Sequence, residues 1–173
     1  MLLHACVPTI TIASVGTGNY PGPATAPTRA AAAALGLDLE EHRSHQLDAE
    51  VIGRARLLVA MERAHVREIV VCDRSAFERT FTLREIVRRG EQVGPRRPIE
   101  SLESWLGAVG VGRAPNDFLG TDAADDIADP VGRSQKVHDA TAAELASLVD
   151  RFAAVAFPDE WSRRVRPRAT MDR

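Results

Sequence analysis

Cysteine, lysine, net charge and long apolar runs are all scarce in this 173-residue chain, and each scarcity narrows what it can be. Two cysteines, Cys6 and Cys72, cannot build a disulfide framework. With no signal-peptide pattern, they point to a reducing, cytoplasmic setting. Residues 2 to 15 lean apolar but carry His4 and Pro8 and lack a basic leading region and a cleavage pattern, so export is not indicated. No run approaches the roughly 20 apolar residues of a membrane span. Lys136 is the single lysine among 22 basic residues. In an alanine-rich chain this reads as codon bias, with arginine-driven recognition the second reading. The formal net charge of -2 gives no electrostatic basis for a nucleic-acid or anionic-membrane partner.

What is present is the composition of an ordinary globular protein, 45% hydrophobic and 27% charged. A chain of this length fits one domain and buries roughly 70% of its unfolded surface without staples. No internal repeat or domain-length linker interrupts it. The most organised stretch is Thr9 to Leu47. A β-branched run to Val15 breaks at Gly16-Thr17-Gly18-Asn19, a Pro/Gly/Ala segment follows, and an alanine-rich helix from Pro27 or Thr28 to Leu35 stops at Gly36. Strand, loop, helix and left-handed cap in that order make one unit of an α/β layered domain.

Met1 to Val7 reads as the last turn of a helix ended by Pro8. Asp48 is placed to cap a helix to about Ala55. Arg56 to Met61 is a continuous apolar strand of the kind buried on both faces. A helix over Glu62 to Val71 would turn Ala64, Val66 and Ile69 to Val71 toward the core, and Asp73 caps one further turn to Glu78. Thr82 and Glu85 form a capping box for a helix that Gly90 closes. Ile99, Leu102, Leu106 and Val109 recur at helical spacing, with Trp105 beside the stripe. Val111 to Gly132 is long and irregular and holds five aspartates, 117, 122, 125, 126 and 129. Val137, Leu145, Leu148, Phe152 and Val155 mark a final helix from Ser134 to Phe157. Residues 159–173 read as a disordered, Arg-rich tail.

Five signatures in collinear order, across roughly residues 2 to 157, resemble the low-molecular-weight protein tyrosine phosphatases. They are Val15-Gly-Thr-Gly18, where the family usually has Ser-Ala-Gly-Thr; Gly36-Leu-Asp-Leu-Glu-Glu-His-Arg-Ser-His-Gln-Leu47; the strand ending in Met61 before Glu62-Arg-Ala-His65; Phe81-Thr-Leu-Arg-Glu85; and Asp129-Pro130 ahead of a long helix. The resemblance implies a three-layer, flavodoxin-like α/β fold with a parallel sheet over residues 1–158. It also implies hydrolysis of phosphotyrosine through a phosphocysteine, without metal or other cofactor. In that chemistry a cysteine in a Cys-x5-Arg-Ser/Thr loop attacks phosphorus, backbone N–H groups hold the phosphate, and the arginine grips it bidentately.

Neither cysteine spells that loop. Cys6 has no arginine within reach, and Cys72 precedes Arg79-Thr80 by one residue too many, with Asp73 and Glu78 in the spacer. Cys72 is expected to be a small buried apolar residue instead. The resemblance places the nucleophile loop upstream of the Leu2–Cys6 helix end. The chain is therefore expected to be truncated, lacking that loop and the first, central strand, and inactive as written. Asp129 matches the family's general acid, and Pro130 restricts its backbone to extended geometry; the plainer alternative is one aspartate of a solvated acidic loop. Tyr20 matches an aromatic that lines the substrate cleft, or is a surface residue. His42 matches a histidine that supports the phosphate loop, and His45 stands where the family commonly has arginine. His42, His45 and His65 lack the partners of a metal site, and Gly16-x-Gly18 lacks the rest of a nucleotide loop. The substrates implied for a full-length protein are a phosphotyrosine protein or a small aryl phosphate. The alternatives are a catalytically dead interaction protein with the same fold, or an arsenate-reductase-like relative using cysteine redox chemistry.

Overall fold

The computed structural model describes residues 7, 10–18, 22–43, 45–119 and 123–165. Among these, four short strands alternate with helices in the order β1 (Val15–Gly16), α1 (Ala26–Ala34), β2 (His45–Gln46), α2 (Ala49–Arg54), β3 (Leu58–Ala60), α3 (Arg63–Cys72) and β4 (Thr80–Thr82). Then come α4 (Leu83–Val93), α5 (Leu102–Val109), α6 (Gln135–Ala156) and α7 (Pro158–Val165). The strands form two parallel pairs, β1 with β2 and β3 with β4, the second in the register Leu58 to Thr80 through Ala60 to Thr82.

The β3–β4 pair is covered on both faces, which explains its unbroken apolar spelling. Leu58 packs with Ile52 of α2 and Ile69 of α3, and Ala60 with Val66 and Phe118. Val59 and Phe81 face the larger core, where Ile86, Val87, Trp105, Leu106, Phe152 and Val155 meet from α4, α5 and α6. Helix α1 lies against α6, where the buried His138 brings Nδ1 to 3.3 Å from Thr28 Oγ1.

Local capping follows the sequence at several ends. Thr25 accepts from Thr28 N, Asp48 from Val51 N, Asp73 from Ser75 N and Thr82 from Glu85 N. Gly36 takes the left-handed turn after α1 at φ +72°. Elsewhere packing overrides local spelling. Helix α4 runs through Gly90 and stops at Gly94, φ +94°. Gly90 is kept small because a Cβ there would lie 3.0 Å from Trp105 Cζ2 and 3.2 Å from Val155 Cγ2.

The first strand is expected over seven residues but pairs over two, because its partner β2 offers only His45 and Gln46. Strand β4, hidden in front of the capping box, exists because β3 supplies its ladder. Ile99 is 98% exposed, so the α5 stripe begins at Leu102; Val71, expected inside, is 85% exposed. Ile69, two residues earlier, takes the core-facing position on α3, while Arg63 of the first turn is buried. Of the segment read as a disordered tail, residues 159–165 belong to α7, with Trp161 packed on the main core; residues 166–173 lie outside the described residues. The expected helix end at Leu2–Cys6 lies outside the described residues, while Val7 beside it is fully buried.

Candidate active site

The irregular segment before α6 is fastened to the carboxyl end of β3. Ile127 is buried, and its N–H donates to Met61 O at 2.8 Å, one residue past the strand. Arg84 Nη1 donates to Ala124 O at 3.1 Å, and Arg88 Nη2 meets Asp125 Oδ2 at 2.8 Å. Two residues beyond Ile127, Asp129 is exposed, and its Oδ1 accepts from Val131 N at 2.9 Å. Pro130 O accepts from Arg133 N, and Gly132 turns the chain at φ +76° into α6. Open α/β sheets bind ligands in the crevice beyond the carboxyl ends of their strands, the end of β3 to which Ile127 is fastened.

Helix α3 begins against the usual preference. Arg63 stands in its first turn, where acids are favoured, and the N-cap Glu62 makes no side-chain capping bond. A distant residue supplies what is missing: Asp126 Oδ1 accepts from Arg63 N at 2.7 Å. The same oxygen lies 3.7 Å from Arg63 Nε, which has no hydrogen-bond acceptor among the described residues. A cleft of about 170 Å³ opens beside this contact, lined by Arg63, Glu85, Arg88, Arg89, Asp117, Phe118 and Asp125.

Behind the cleft, Arg113 and Glu85 form a buried pair, Nε to Oε1 2.8 Å, with side chains 2% and 4% exposed. The guanidinium also lies over the rings of Phe81, Phe77 and Phe118 at 3.9, 4.6 and 5.2 Å. Burial pushes the Arg113 pKa down, and the Glu85 carboxylate opposes that shift. The pair joins α4 to the start of the irregular segment that carries Asp117, Asp126 and Asp129.

Cys72 is exposed at the end of α3, not buried as its apolar neighbours suggested, because that face of the helix turns outward with Val71. Its neighbour Asp73 accepts from Ser75 and pairs with Arg79, and its carboxyl is held below the usual range chiefly by the Ser75 hydrogen bond. Arg79 is occupied by Ala55 O, Ile52 O, Ser75 O and Asp73. Tyr20 and Cys6 lie outside the described residues. His42 is half-buried, with its backbone N–H bonded to Leu39 O, and His45 is exposed in β2. Among the described residues no group of three metal-binding side chains converges. No helix among them is long and apolar enough to cross a membrane.

Sequence reasoning singled out Asp129 and gave no role to Arg63, Asp126 or the Arg113–Glu85 pair, which the fold ties to the same irregular segment. The signal available was a broken rule, arginine at the start of α3 with no local cap.

No protein-family model matches the chain. It is 34% identical over 109 residues to the probable low molecular weight protein-tyrosine-phosphatase EpsP of Ralstonia solanacearum, covering 62% of this chain and 75% of that protein. Among solved structures it superposes on the Erwinia amylovora tyrosine phosphatase AmsI with a TM-score of 0.64 at 20% identity, covering 90% of this chain and 81% of that one. The YwlE arginine phosphatase from Geobacillus stearothermophilus matches with a TM-score of 0.62 at 26% identity, over 88% of this chain and 78% of that one. The parallel α/β layering, the superposition on solved phosphatases and the sequence match over three quarters of EpsP agree with one another: the chain belongs to the low molecular weight protein-tyrosine-phosphatase family.

Proposed function

We propose that this chain carries the scaffold and the acid side of an aryl-phosphate hydrolase, with Asp129 as general acid and Tyr20 lining the substrate cleft. As written, the 173 residues turn over no phosphate ester. In the family reaction a cysteine thiolate attacks phosphorus, the P–O bond to the tyrosine breaks, and the acid gives its proton to the leaving oxygen. Water then attacks the phosphocysteine and releases phosphate. The observation that carries the assignment of Asp129 is its position, two residues from the Ile127 N–H to Met61 O contact at the end of β3. Pro130 restricts its backbone as such a role requires.

Two features support inactivity. No Cys-x5-Arg-Ser/Thr occurs in the sequence. At Cys72, the only arginine at comparable spacing is spent on backbone carbonyls and Asp73. A redox role like that of an arsenate reductase gains nothing from an exposed Cys72 with no described cysteine beside it.

The test is steady-state turnover of p-nitrophenyl phosphate, a phosphotyrosine peptide and phosphoarginine by the purified chain, its Cys72→Ser variant and its Asp129→Asn variant. All three proteins are expected to release no phosphate above buffer. Turnover abolished by Cys72→Ser would place the nucleophile at Cys72. Turnover that survives Cys72→Ser but falls in Asp129→Asn would overturn the inactivity while keeping the acid.

A further inference from the structure

We infer that Asp126 and Arg63 form a two-sided latch that positions the acid segment, with Asp126 the positioning residue for Asp129. This rests on the reading of Asp129 as the acid, but its geometry stands apart from catalysis. Arg63 reaches both parts of the irregular segment from one buried place. Its Nη1 donates to Asp117 O at 3.3 Å, and its backbone N–H donates to Asp126 Oδ1 at 2.7 Å. One turn further along the same face of α3, the half-buried Arg67 adds Nη1 to Phe118 O at 2.6 Å. Asp126 in turn does two things with one oxygen. It caps a helix whose own N-cap fails, and it sits opposite a guanidinium whose side chain is 9% exposed.

The adjoining residue completes the arrangement. Ile127 is locked by its buried side chain and by Met61 O. Asp129 hangs two residues from that lock, and its carboxylate is turned onto Val131 N. Removing the Asp126 carboxylate strips the α3 N-terminus of its cap and leaves the buried Arg63 charge without its ion-pair partner. The segment then loses the contact that adjoins Ile127.

The experiment is NMR on the isotopically labelled 173-residue protein. It reads hydrogen exchange at the Ile127 amide, which donates to Met61 O, and at the Val131 amide, which donates to Asp129 Oδ1. Asp126→Ala is expected to speed exchange at both at least about tenfold relative to α4 amides, since only the local opening changes. Asp126→Asn, which keeps an acceptor for Arg63 N–H, is expected to retain the protection of both. Unchanged exchange in a folded Asp126→Ala protein would overturn the latch, as would Asn behaving like Ala.

Should the Ala variant fail to fold, Arg63→Lys decides. It keeps the amide that Asp126 caps but loses the guanidinium bond to Asp117 O. Faster exchange at Asp117 with Ile127 still protected supports the latch, and uniform acceleration from 115 to 131 refutes it. None of these readings needs turnover, so failure of the latch and failure of the acid assignment are separable.

Discussion

Replacing Arg113 by methionine tests the packing behind the site most severely. The side chain is 2% exposed and gives two hydrogen bonds to Glu85, Nε to Oε1 at 2.8 Å and Nη2 to Oε2 at 3.3 Å. It gives two more to backbone carbonyls, Phe77 O at 3.1 Å and Thr80 O at 2.6 Å. Breaking a buried pair by deleting one partner costs about 3–5 kcal/mol. Each carbonyl left without a donor adds about 1–3 kcal/mol if water cannot reach it. Arg89, whose Nε lies 3.1 Å from Glu85 Oε1, offsets part of the loss. These contributions overlap, so the expected destabilisation is about 4 kcal/mol, or about 8–16 °C in Tm for a chain of this size.

Glu85→Gln is expected to cost less, about 2–3 kcal/mol, because Arg113 keeps both carbonyls and three ring faces. The double variant Glu85→Leu with Arg113→Met is expected to be more stable than Arg113→Met alone, since no unpaired carboxylate remains buried. Urea unfolding followed by tryptophan fluorescence measures all three, with the buried Trp105 as reporter. A loss below about 1 kcal/mol for Arg113→Met, or strict additivity in the double variant, would refute the reasoning.

The same substitution should act with opposite sign at two helical glycines. Gly90→Ala, driven against Trp105, is expected to cost about 1–3 kcal/mol, whereas Gly53→Ala, with open space around it, should stabilise by about 0.5–1 kcal/mol; thermal melts compare them. Cys72 is exposed, so maleimide should modify it in the native protein far faster than the chain unfolds, as mass mapping of residue 72 would show. The Arg151 hydrogen bond holds the Glu91 carboxyl below its usual range. That contribution is therefore present above the unfolded glutamate value of about 4.3 and lost as pH falls through the lower folded value. With both side chains 40–49% exposed, Glu91→Gln should cost only about 0.5 kcal/mol at pH 7, and its urea midpoint should converge with that of the parent once pH falls below the lowered folded value.

Several parts of the fold were legible because their causes are local. Thr25, Asp48 and Thr82 cap the helices that follow them by reaching an amide three residues on, and Gly36 supplies the positive φ that ends α1. Leu58 to Ala60 spells a strand covered on both sides, and both sides are covered. Tertiary contact decided the rest. Gly90 looks like a stop but is a packing gap for Trp105, a distinction visible only once α5 lies across α4. Strand β4 has no period of its own and exists because β3 pairs with it. Of the five aspartates in the irregular segment, the sequence marked Asp129 by the proline after it but gave Asp126 no mark of its own. Only the folded chain turns Asp126 onto the α3 N-terminus, because the amide it caps is 63 residues away.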